Sequence, residues 1–121
     1  MPKRILIVDD SLPIRAATRR FLEDNSELEV GEAVDGLDAL EKVSLLNPDL
    51  IVLDLAMPRM DGIQAARKLR ERQVRVPIIL FTMHAAAVRT EDLSAAGINA
   101  VVAKTDLIAL QTHIETLLVA S

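Results

Sequence analysis

Aspartate, threonine and lysine residues stand where short apolar runs of this sequence end. Each run has the length of a strand, and a polar residue follows it directly. The runs and the residues after them are residues 5–8 with Asp9 and Asp10, residues 50–53 with Asp54, residues 78–81 with Thr82, and residues 100–103 with Lys104. Because ionised aspartate is rarely buried without a partner, Asp54 behind four large apolar residues indicates a functional site.

These residue types suit the transfer of a phosphoryl group. Three carboxylates close together repel one another unless a cation intervenes, and oxygen ligands without histidine or cysteine favour Mg²⁺ over zinc. A carboxylate beside Mg²⁺ is also a nucleophile toward phosphorus. The hypothesis is that Asp54 accepts a phosphoryl group, while Lys104 neutralises charge on its oxygens and Thr82 donates a hydrogen bond to one of them.

The elements that must position these residues alternate along the chain. Short apolar runs and amphipathic segments predict five strands and five helices, an α/β fold in which right-handed crossovers place helices on both faces of a doubly wound, flavodoxin-like parallel sheet. In the strand order 2-1-3-4-5, strands one and three are neighbours about 4.8 Å apart. Ligands bind such sheets there, so Asp9, Asp10 and Asp54 are expected to converge. Residues 1–121 are predicted to form one domain.

Local patterns predict where helices begin and which faces they bury. Ser11 is expected to cap the first helix and Asp61 the third. Residues 85–96 predict one helix, which Gly97 ends. The basic run at residues 67–72 predicts a solvent-exposed helix face rather than a nucleic-acid patch. The buried face of the first helix is predicted from the spacing of Ile14, Ala17, Phe21 and Leu22.

Composition narrows the classes of protein. The chain has no cysteine, which excludes disulfides and cysteine-based zinc sites, and only two aromatic residues, which argues against base-stacking surfaces. The net charge of −4 does not favour direct binding of nucleic acid. No apolar run approaches the roughly 20 residues of a membrane span. A cytoplasmic protein without membrane contact is therefore expected.

Over essentially its whole length the chain resembles the receiver domains of bacterial two-component response regulators, the class that includes the chemotaxis regulators. The motifs that carry the resemblance are Val-Asp-Asp at residues 8–10, Leu-Asp-Leu-Ala-Met-Pro-Arg-Met-Asp-Gly at residues 53–62, Thr82 and Lys104. Residues 31–33, 35–40 and 82–84 are similar to the branch often fused to LuxR-type helix-turn-helix domains.

The resemblance implies a phosphoacceptor domain. Asp54 would accept phosphate from the phosphohistidine of a sensor histidine kinase or a histidine phosphotransfer protein. Asp10 and Asp54, with Asp9 through water and the backbone carbonyl of Ala56, would hold Mg²⁺. The domain would phosphorylate and dephosphorylate itself without turning over a separate substrate, so it is predicted not to be an enzyme. Its partner would be an output domain or effector protein, and a homodimer through the last helix is left open.

The resemblance also implies a switch, at which this sequence departs from the family. Lys104 would pair first with Asp54 and then with the phosphoryl group, and Thr82 would move toward that group with the loop after it. The family usually has Tyr or Phe at the position of Val101, often Pro at Thr105, and often a small residue at Met83. A different or weaker readout is therefore expected on the surface of residues 85–96, 100–103 and 106–119.

Three alternatives remain at this point. The first is a receiver-like interaction module with lost or altered response to phosphorylation, which the departure at Val101 favours. The second is an aspartyl-phosphate phosphohydrolase, although that chemistry usually places a second aspartate where this chain has Ala56. The third is a flavodoxin-like flavin carrier, which would need a Ser/Thr-rich phosphate loop and flanking aromatic residues.

Overall fold

A computed structural model describes residues 1–120, and five parallel strands form one sheet in the order β2-β1-β3-β4-β5. The strands are β1 (Lys3–Val8), β2 (Leu28–Ala33), β3 (Leu50–Leu53), β4 (Ile78–Thr82) and β5 (Ala100–Ala103). The helices are α1 (Leu12–Glu23), α2 (Gly36–Leu46), α3 (Gly62–Glu71), α4 (Thr90–Ala95) and α5 (Leu107–Ala120), and one 3-10 turn spans Ala85–Ala87. The predicted fold class and strand order are confirmed.

The sheet separates two apolar cores, and β3 shows why its sequence is continuously hydrophobic. Leu50 and Val52 point into the core beneath α1 and α5, whereas Ile51 and Leu53 point into the core beneath α2 and α3. All four side chains are at most 1% exposed. A central parallel strand covered by helices on both faces must be apolar at every position, so the first polar residue marks its end.

Side chains at the ends of strands fix the starts of the helices. The Ser11 hydroxyl accepts a hydrogen bond from the Ile14 N–H at 3.4 Å, and the Asp61 carboxylate accepts one from the Gln64 N–H at 2.8 Å. The Gln64 side chain reciprocally accepts from the Asp61 N–H, which completes a capping box. Both predicted caps are confirmed, and they anchor the loops on the side of the predicted site.

Two predictions about the helices are wrong in part. Leu22 is buried and Phe21 packs against the core beneath α1 and α5, as predicted, but Ala17 is exposed. The buried face of α1 also carries Arg15 and Thr18, because their polar groups find partners inside the fold. The Thr18 hydroxyl donates to the Ile14 carbonyl at 2.8 Å. Residues 85–96 do not form one helix, because the backbone is extended at Val88, between the 3-10 turn and α4.

The basic run at residues 67–72 contains one exception to its predicted exposure. The guanidinium of Arg70 donates to the carbonyls of Val74 at 2.7 Å, Val76 at 2.8 Å and Gly97 at 2.7 Å. Burial lowers the pKa of Arg70. Arg70 therefore joins the segment before β4 to the turn before β5, where Gly97 has a φ of +71° that favours glycine.

None of the helices within residues 1–120 has the length and apolar character needed to cross a membrane.

Candidate functional site

The carboxylates of Asp9 and Asp54 leave the sheet side by side. Val8 and Leu53 are partners in the β1–β3 register, so the next residue of each strand is the aspartate. The Asp54 N–H donates to the Val8 carbonyl at 2.9 Å, and the Asp9 N–H donates to the Ala33 carbonyl at 3.1 Å. Pairing of the backbone continues to both aspartates, which holds their Cα atoms at fixed positions at this edge of the sheet.

Asp9, Asp10 and Asp54 form a cluster that we call the acidic triad. One carboxylate oxygen from each lies within 4.8 Å of the other two. Asp9 is 2% exposed and Asp54 5% exposed, whereas Asp10 is open to solvent. A site with only oxygen ligands and one open side matches what Mg²⁺ requires, since that ion retains several waters beside one or two carboxylates. The residues present therefore fit a magnesium ion.

The ammonium group of Lys104 lies between the two buried carboxylates. Its Nζ is 2.6 Å from Oδ2 of Asp9 and 3.0 Å from Oδ1 of Asp54, and its side chain is 7% exposed. Lys104 follows the last strand, and its N–H donates to the Thr82 carbonyl at 2.9 Å, which places it across β4 from the acidic triad. The predicted pairing with Asp54 is present, and the bond to Asp9 is shorter.

The protonation equilibria of the site reflect burial and this shared cation. Burial raises the pKa of Asp54, the charges of Asp9 and Asp10 act in the same direction, and Lys104 opposes them. Burial lowers the pKa of Lys104, but its hydrogen bonds to Asp9 and Asp54 outweigh that effect and leave it above its ordinary value. Lys104 is therefore firmly cationic, and any further positive charge near Asp54 stabilises its ionised carboxylate.

Gly62 allows α3 to pack against the backbone of Asp54. A Cβ atom on Gly62 would lie 2.2 Å from the Asp54 carbonyl oxygen and 3.0 Å from the Cα of Leu55. The Gly62 N–H donates to the Leu55 carbonyl at 2.8 Å. The start of α3 is thus a support directly beneath the predicted acceptor.

The loop between β3 and α3 is tied to α2 by an ion pair. Arg59, whose φ is +69°, reaches the carboxylate of Asp35. Asp35 also caps α2, since its side chain accepts from the Asp38 N–H at 2.9 Å. That backbone hydrogen bond and then the contact with Arg59 hold the pKa of Asp35 below its usual range. Asp35 is therefore charged at neutral pH and anchors the loop that carries Ala56.

Thr82, Ala56 and Val101 lie at the end of β4, in the loop after β3 and within β5. Thr82 ends β4 and is 1% exposed, and its hydroxyl accepts from the His84 N–H at 3.1 Å. Ala56 lies two residues after Asp54 and is exposed in the loop. Val101 pairs with Leu80 in the β4–β5 register and packs, partly buried, against the core beneath α2 and α3. The roles given to these three residues stay predictions.

The sequence did not reveal Arg15, which bonds to the backbone of Asp9 and to the side chain of Glu32. A signal was present in the strand pattern. Val30 faces the core beneath α1 and α5, and Glu32, two residues later, shares that face of the sheet. A glutamate facing a packed helix requires a cation on that helix, and Arg15 supplies it.

The family model described as "Response regulator receiver domain" matches residues 5–115. A protein named "Protein-glutamate methylesterase/protein-glutamine glutaminase" from Nocardioides sp. is 43% identical over 104 residues, which cover 84% of this chain and 28% of that protein. "Response regulator MprA" from Mycobacterium sp. (strain KMS) is 43% identical over 82 residues, which cover 68% of this chain and 35% of that protein. The matched regions thus span about a third or less of these curated relatives.

Solved structures agree with this assignment. A two-component response regulator of the LuxR family from Aurantimonas sp. SI85-9A1 superposes with a TM-score of 0.89 at 32% identity, covering 99% of this chain and 87% of the other. The Vibrio cholerae chemotaxis protein CheY4 superposes with a TM-score of 0.88 at 27% identity, covering 97% and 99%. The chain belongs to the response regulator receiver domain family of two-component signalling, whose standard function is to accept a phosphoryl group on an aspartate.

Proposed function

We propose that Asp54 is the phosphoacceptor of this receiver domain, and that Lys104 and Thr82 assist the transfer. The observation that carries the proposal is the ammonium of Lys104, 3.0 Å from Oδ1 of Asp54 and 2.6 Å from Oδ2 of Asp9, inside an otherwise acidic cluster. A cation already held beside the acceptor carboxylate stabilises negative charge that arrives with a phosphoryl group. It does so without reorganising the buried site.

The transfer exchanges one bond to phosphorus for another. A carboxylate oxygen of Asp54 attacks the phosphorus of a phosphohistidine, and a P–O bond forms as the P–N bond breaks. The electron pair of the broken bond stays on the imidazole nitrogen of the donor. Lys104 then pairs with an oxygen of the new acyl phosphate, and the Thr82 hydroxyl donates to another. The donor is a sensor histidine kinase or a histidine phosphotransfer protein.

Receiver domains bind Mg²⁺ at an acidic pocket, and in this chain Asp10, Asp54 and the carbonyl of Ala56 are proposed to hold the ion, with Asp9 acting through water. The bound ion supplies positive charge that screens the attacking carboxylate from the oxygens of the phosphoryl group. The acidic triad is open to solvent at Asp10, and the ion and the phosphoryl donor are proposed to approach from that side. The requirement for Mg²⁺ is therefore expected to be strict.

The readout is proposed to run through Thr82. Its hydroxyl accepts the His84 N–H at 3.1 Å, so a rotation of Thr82 toward the phosphoryl group breaks the bond that holds the loop after β4. The face of α4, β5 and α5 then favours a second conformation, which an output domain or effector protein binds. Val101, which is partly buried, has no aromatic ring that could change its position with Thr82, as a Tyr or Phe could. A homodimer through α5 and a cytoplasmic location stay predictions.

Acetyl phosphate tests the proposal directly. Wild-type protein incubated with acetyl phosphate and Mg²⁺ is expected to gain the mass of one phosphoryl group in intact-mass spectrometry, and chelation of Mg²⁺ should prevent the gain. Asp54→Asn should gain nothing. Asp24→Asn, an exposed aspartate at the far end of α1, is the matched control and should behave as wild type.

The outcomes separate the alternatives. A folded wild-type protein that gains no phosphoryl group would contradict the proposal in favour of an interaction module. A phosphoryl group retained by Asp54→Asn would place the acceptor elsewhere. Sustained hydrolysis of unrelated phosphate esters would favour a phosphohydrolase. It would contradict the prediction that the domain turns over no separate substrate.

A further inference from the structure

Arg15 places a buried guanidinium group against the backbone of Asp9, a member of the acidic triad. It lies on the face of α1 that packs against the sheet, and the residue is 9% exposed. Its Nη1 donates to the backbone carbonyl of Asp9 at 2.8 Å. A buried arginine that binds a carbonyl beside a proposed metal site affects the position of that backbone, because a charged donor makes a stronger hydrogen bond than a neutral one.

The guanidinium is itself held in one orientation. Its Nε donates to Oε1 of Glu32 at 2.8 Å, while the other oxygen of Glu32 pairs with Nη1 of Arg19 at 2.5 Å. The hydrogen bond from Arg19, and then that from Arg15, lower the pKa of Glu32 and keep it ionised at neutral pH. Glu32 belongs to β2, so the sheet as well as α1 fixes the orientation of the Arg15 guanidinium.

The carbonyl that Arg15 binds belongs to the peptide group joining Asp9 to Asp10. Holding that carbonyl restricts rotation of the planar peptide group, which contains the Cα atoms of both residues, and so limits the directions in which their side chains leave the backbone. The Asp9 carboxylate has two further bonds, from the Ser11 N–H at 2.9 Å and from Lys104. Asp10 is exposed, so the peptide plane is the principal constraint described for its direction.

We propose that Arg15, oriented by Glu32, is a positioning residue that sets the peptide plane between Asp9 and Asp10 and thereby the affinity of the acidic triad for Mg²⁺. The inference rests on the proposed function, because it assigns the triad to that ion. Partners outside the coordination shell that orient metal ligands typically change affinity by 10- to 100-fold when removed.

The sign of the effect distinguishes positioning from electrostatics. Arg15 is a cation near a cation site, so the loss of its charge alone would strengthen the binding of Mg²⁺. The loss of its hydrogen bond to Asp9 frees the peptide plane and weakens binding. Arg15→Met removes both, and positioning predicts a net weakening of roughly 10-fold or more. Arg15→Lys retains the charge but not the planar fork that reaches Asp9 and Glu32 together, so it should also weaken binding.

Calorimetric titration with Mg²⁺ is the direct measurement. The dissociation constant is compared among wild type, Arg15→Met, Arg15→Lys, Glu32→Gln and the control Arg20→Met, which removes the same charge from an exposed position of α1. Arg20→Met should stay within about twofold of wild type, since it is exposed to solvent screening. Thermal unfolding of each variant establishes that it is folded at the temperature of the titration.

A second readout separates affinity from chemistry. The Mg²⁺ concentration that gives half of the maximal rate of acetyl phosphate labelling should rise in Arg15→Lys, whereas the rate at saturating Mg²⁺ should approach that of wild type. A purely structural role, which lowers stability without displacing the ligands, would leave the half-saturating concentration unchanged. Glu32→Gln, which keeps the volume of the side chain, should show a smaller rise in the same direction.

Wild-type affinity in folded Arg15→Met and Arg15→Lys, or tighter binding in Arg15→Met, would overturn the inference while leaving the proposed function intact. If Arg15→Met is unfolded, unchanged affinity in both Arg15→Lys and Glu32→Gln would overturn it. A wild-type protein that is labelled by acetyl phosphate only with Mg²⁺ secures the proposed function separately. A wild-type protein that binds no Mg²⁺ would overturn both.

Discussion

Replacement of Gly62 by alanine tests the close packing of α3 against the backbone of Asp54, the proposed acceptor. The new Cβ atom would lie 2.2 Å from the Asp54 carbonyl oxygen, whereas ordinary contacts of such atoms begin at 3.4 Å. The obstructing atoms are the backbone of Asp54 and Leu55, which cannot rotate away as a side chain would. About 1 Å of separation must therefore come from moving α3 or the end of β3.

Two effects of opposite sign set the magnitude. Alanine stabilises a helix relative to glycine by up to about 1 kcal/mol. Overpacking a buried site costs about 1–3 kcal/mol, and a clash between backbone atoms belongs at the upper end of that range. The net expectation is a free energy of unfolding lower by about 2 kcal/mol. For a chain of 121 residues this corresponds to a fall in Tm of roughly 6–12 °C.

Gly31→Ala is the matched control. Its Cβ atom would lie 2.7 Å from Cδ1 of Leu46, the end of a side chain that lines a surface groove and can rotate. Glycine to alanine also lowers the entropy of the unfolded chain, which stabilises the fold by about 0.4–1 kcal/mol. Gly31→Ala should therefore lie within about 1 kcal/mol of wild type.

Thermal unfolding by circular dichroism and the rate of acetyl phosphate labelling are the assays. Gly62→Ala is expected to unfold at lower temperature and to be labelled more slowly, because the displaced backbone belongs to Asp54, the proposed acceptor. A variant with the stability and labelling rate of wild type would refute the reasoning, as would an equal loss of stability in Gly31→Ala.

Three other substitutions test contacts described above. Lys104→Met leaves two buried carboxylates without their shared cation, so the metal-free protein should lose about 3 kcal/mol of unfolding free energy. Mg²⁺ should restore part of this loss, and an unchanged midpoint of urea unfolding would contradict the pairing. Asp35→Asn keeps an N-cap but removes the charge. The hydrogen bond from the Asp38 N–H, and then the contact with Arg59, lower the pKa of Asp35 in the folded protein. The wild type should therefore be more stable than Asp35→Asn above pH 3.8, and this advantage should disappear as the pH falls through the folded pKa. A stability difference that does not change with pH in urea unfolding would argue against this reasoning. Arg70→Met should cost about 1–3 kcal/mol by leaving three carbonyls without their charged donor, with acetyl phosphate labelling unchanged, and slower labelling of the folded variant would show that the effect reaches the site.

The carboxyl ends of the central strands were predictable because these strands are apolar where helices cover both faces of the sheet. β3 is apolar at all four positions and Asp54 follows it, so its place at the sheet edge could be inferred from the sequence. Asp9 followed by the same argument from the apolar end of β1, whereas Lys104 was placed by the short apolar run of β5, which is an edge strand. The strand order then determined that these side chains meet, which no local pattern could have shown.

The contacts of Arg15 and Arg70 with the backbone could not be predicted in the same way. A carbonyl is present at every residue, so the sequence does not mark which carbonyls these arginines bind. Only the pairing of Arg15 with Glu32 left a signal, in the pattern of β2. The break in residues 85–96 has a related cause. Alanine favours helix wherever it occurs, whereas the packing of Val88 and Leu93 into the core beneath α2 and α3 decides the actual path of the chain.

The sharing of Lys104 between Asp9 and Asp54 has a consequence for the order in which the chain folds. Pairing of β1 with β3 brings the two carboxylates together, but the neutralising ammonium arrives only when β5 docks at the far side of β4. Closing the chain between residues so distant in sequence costs entropy before their contact stabilises the fold, and proteins rich in such contacts fold slowly. The complete site therefore exists in no fragment that lacks β5, and the proposed acceptance of phosphate by Asp54 is expected only in a chain whose last strand is in place.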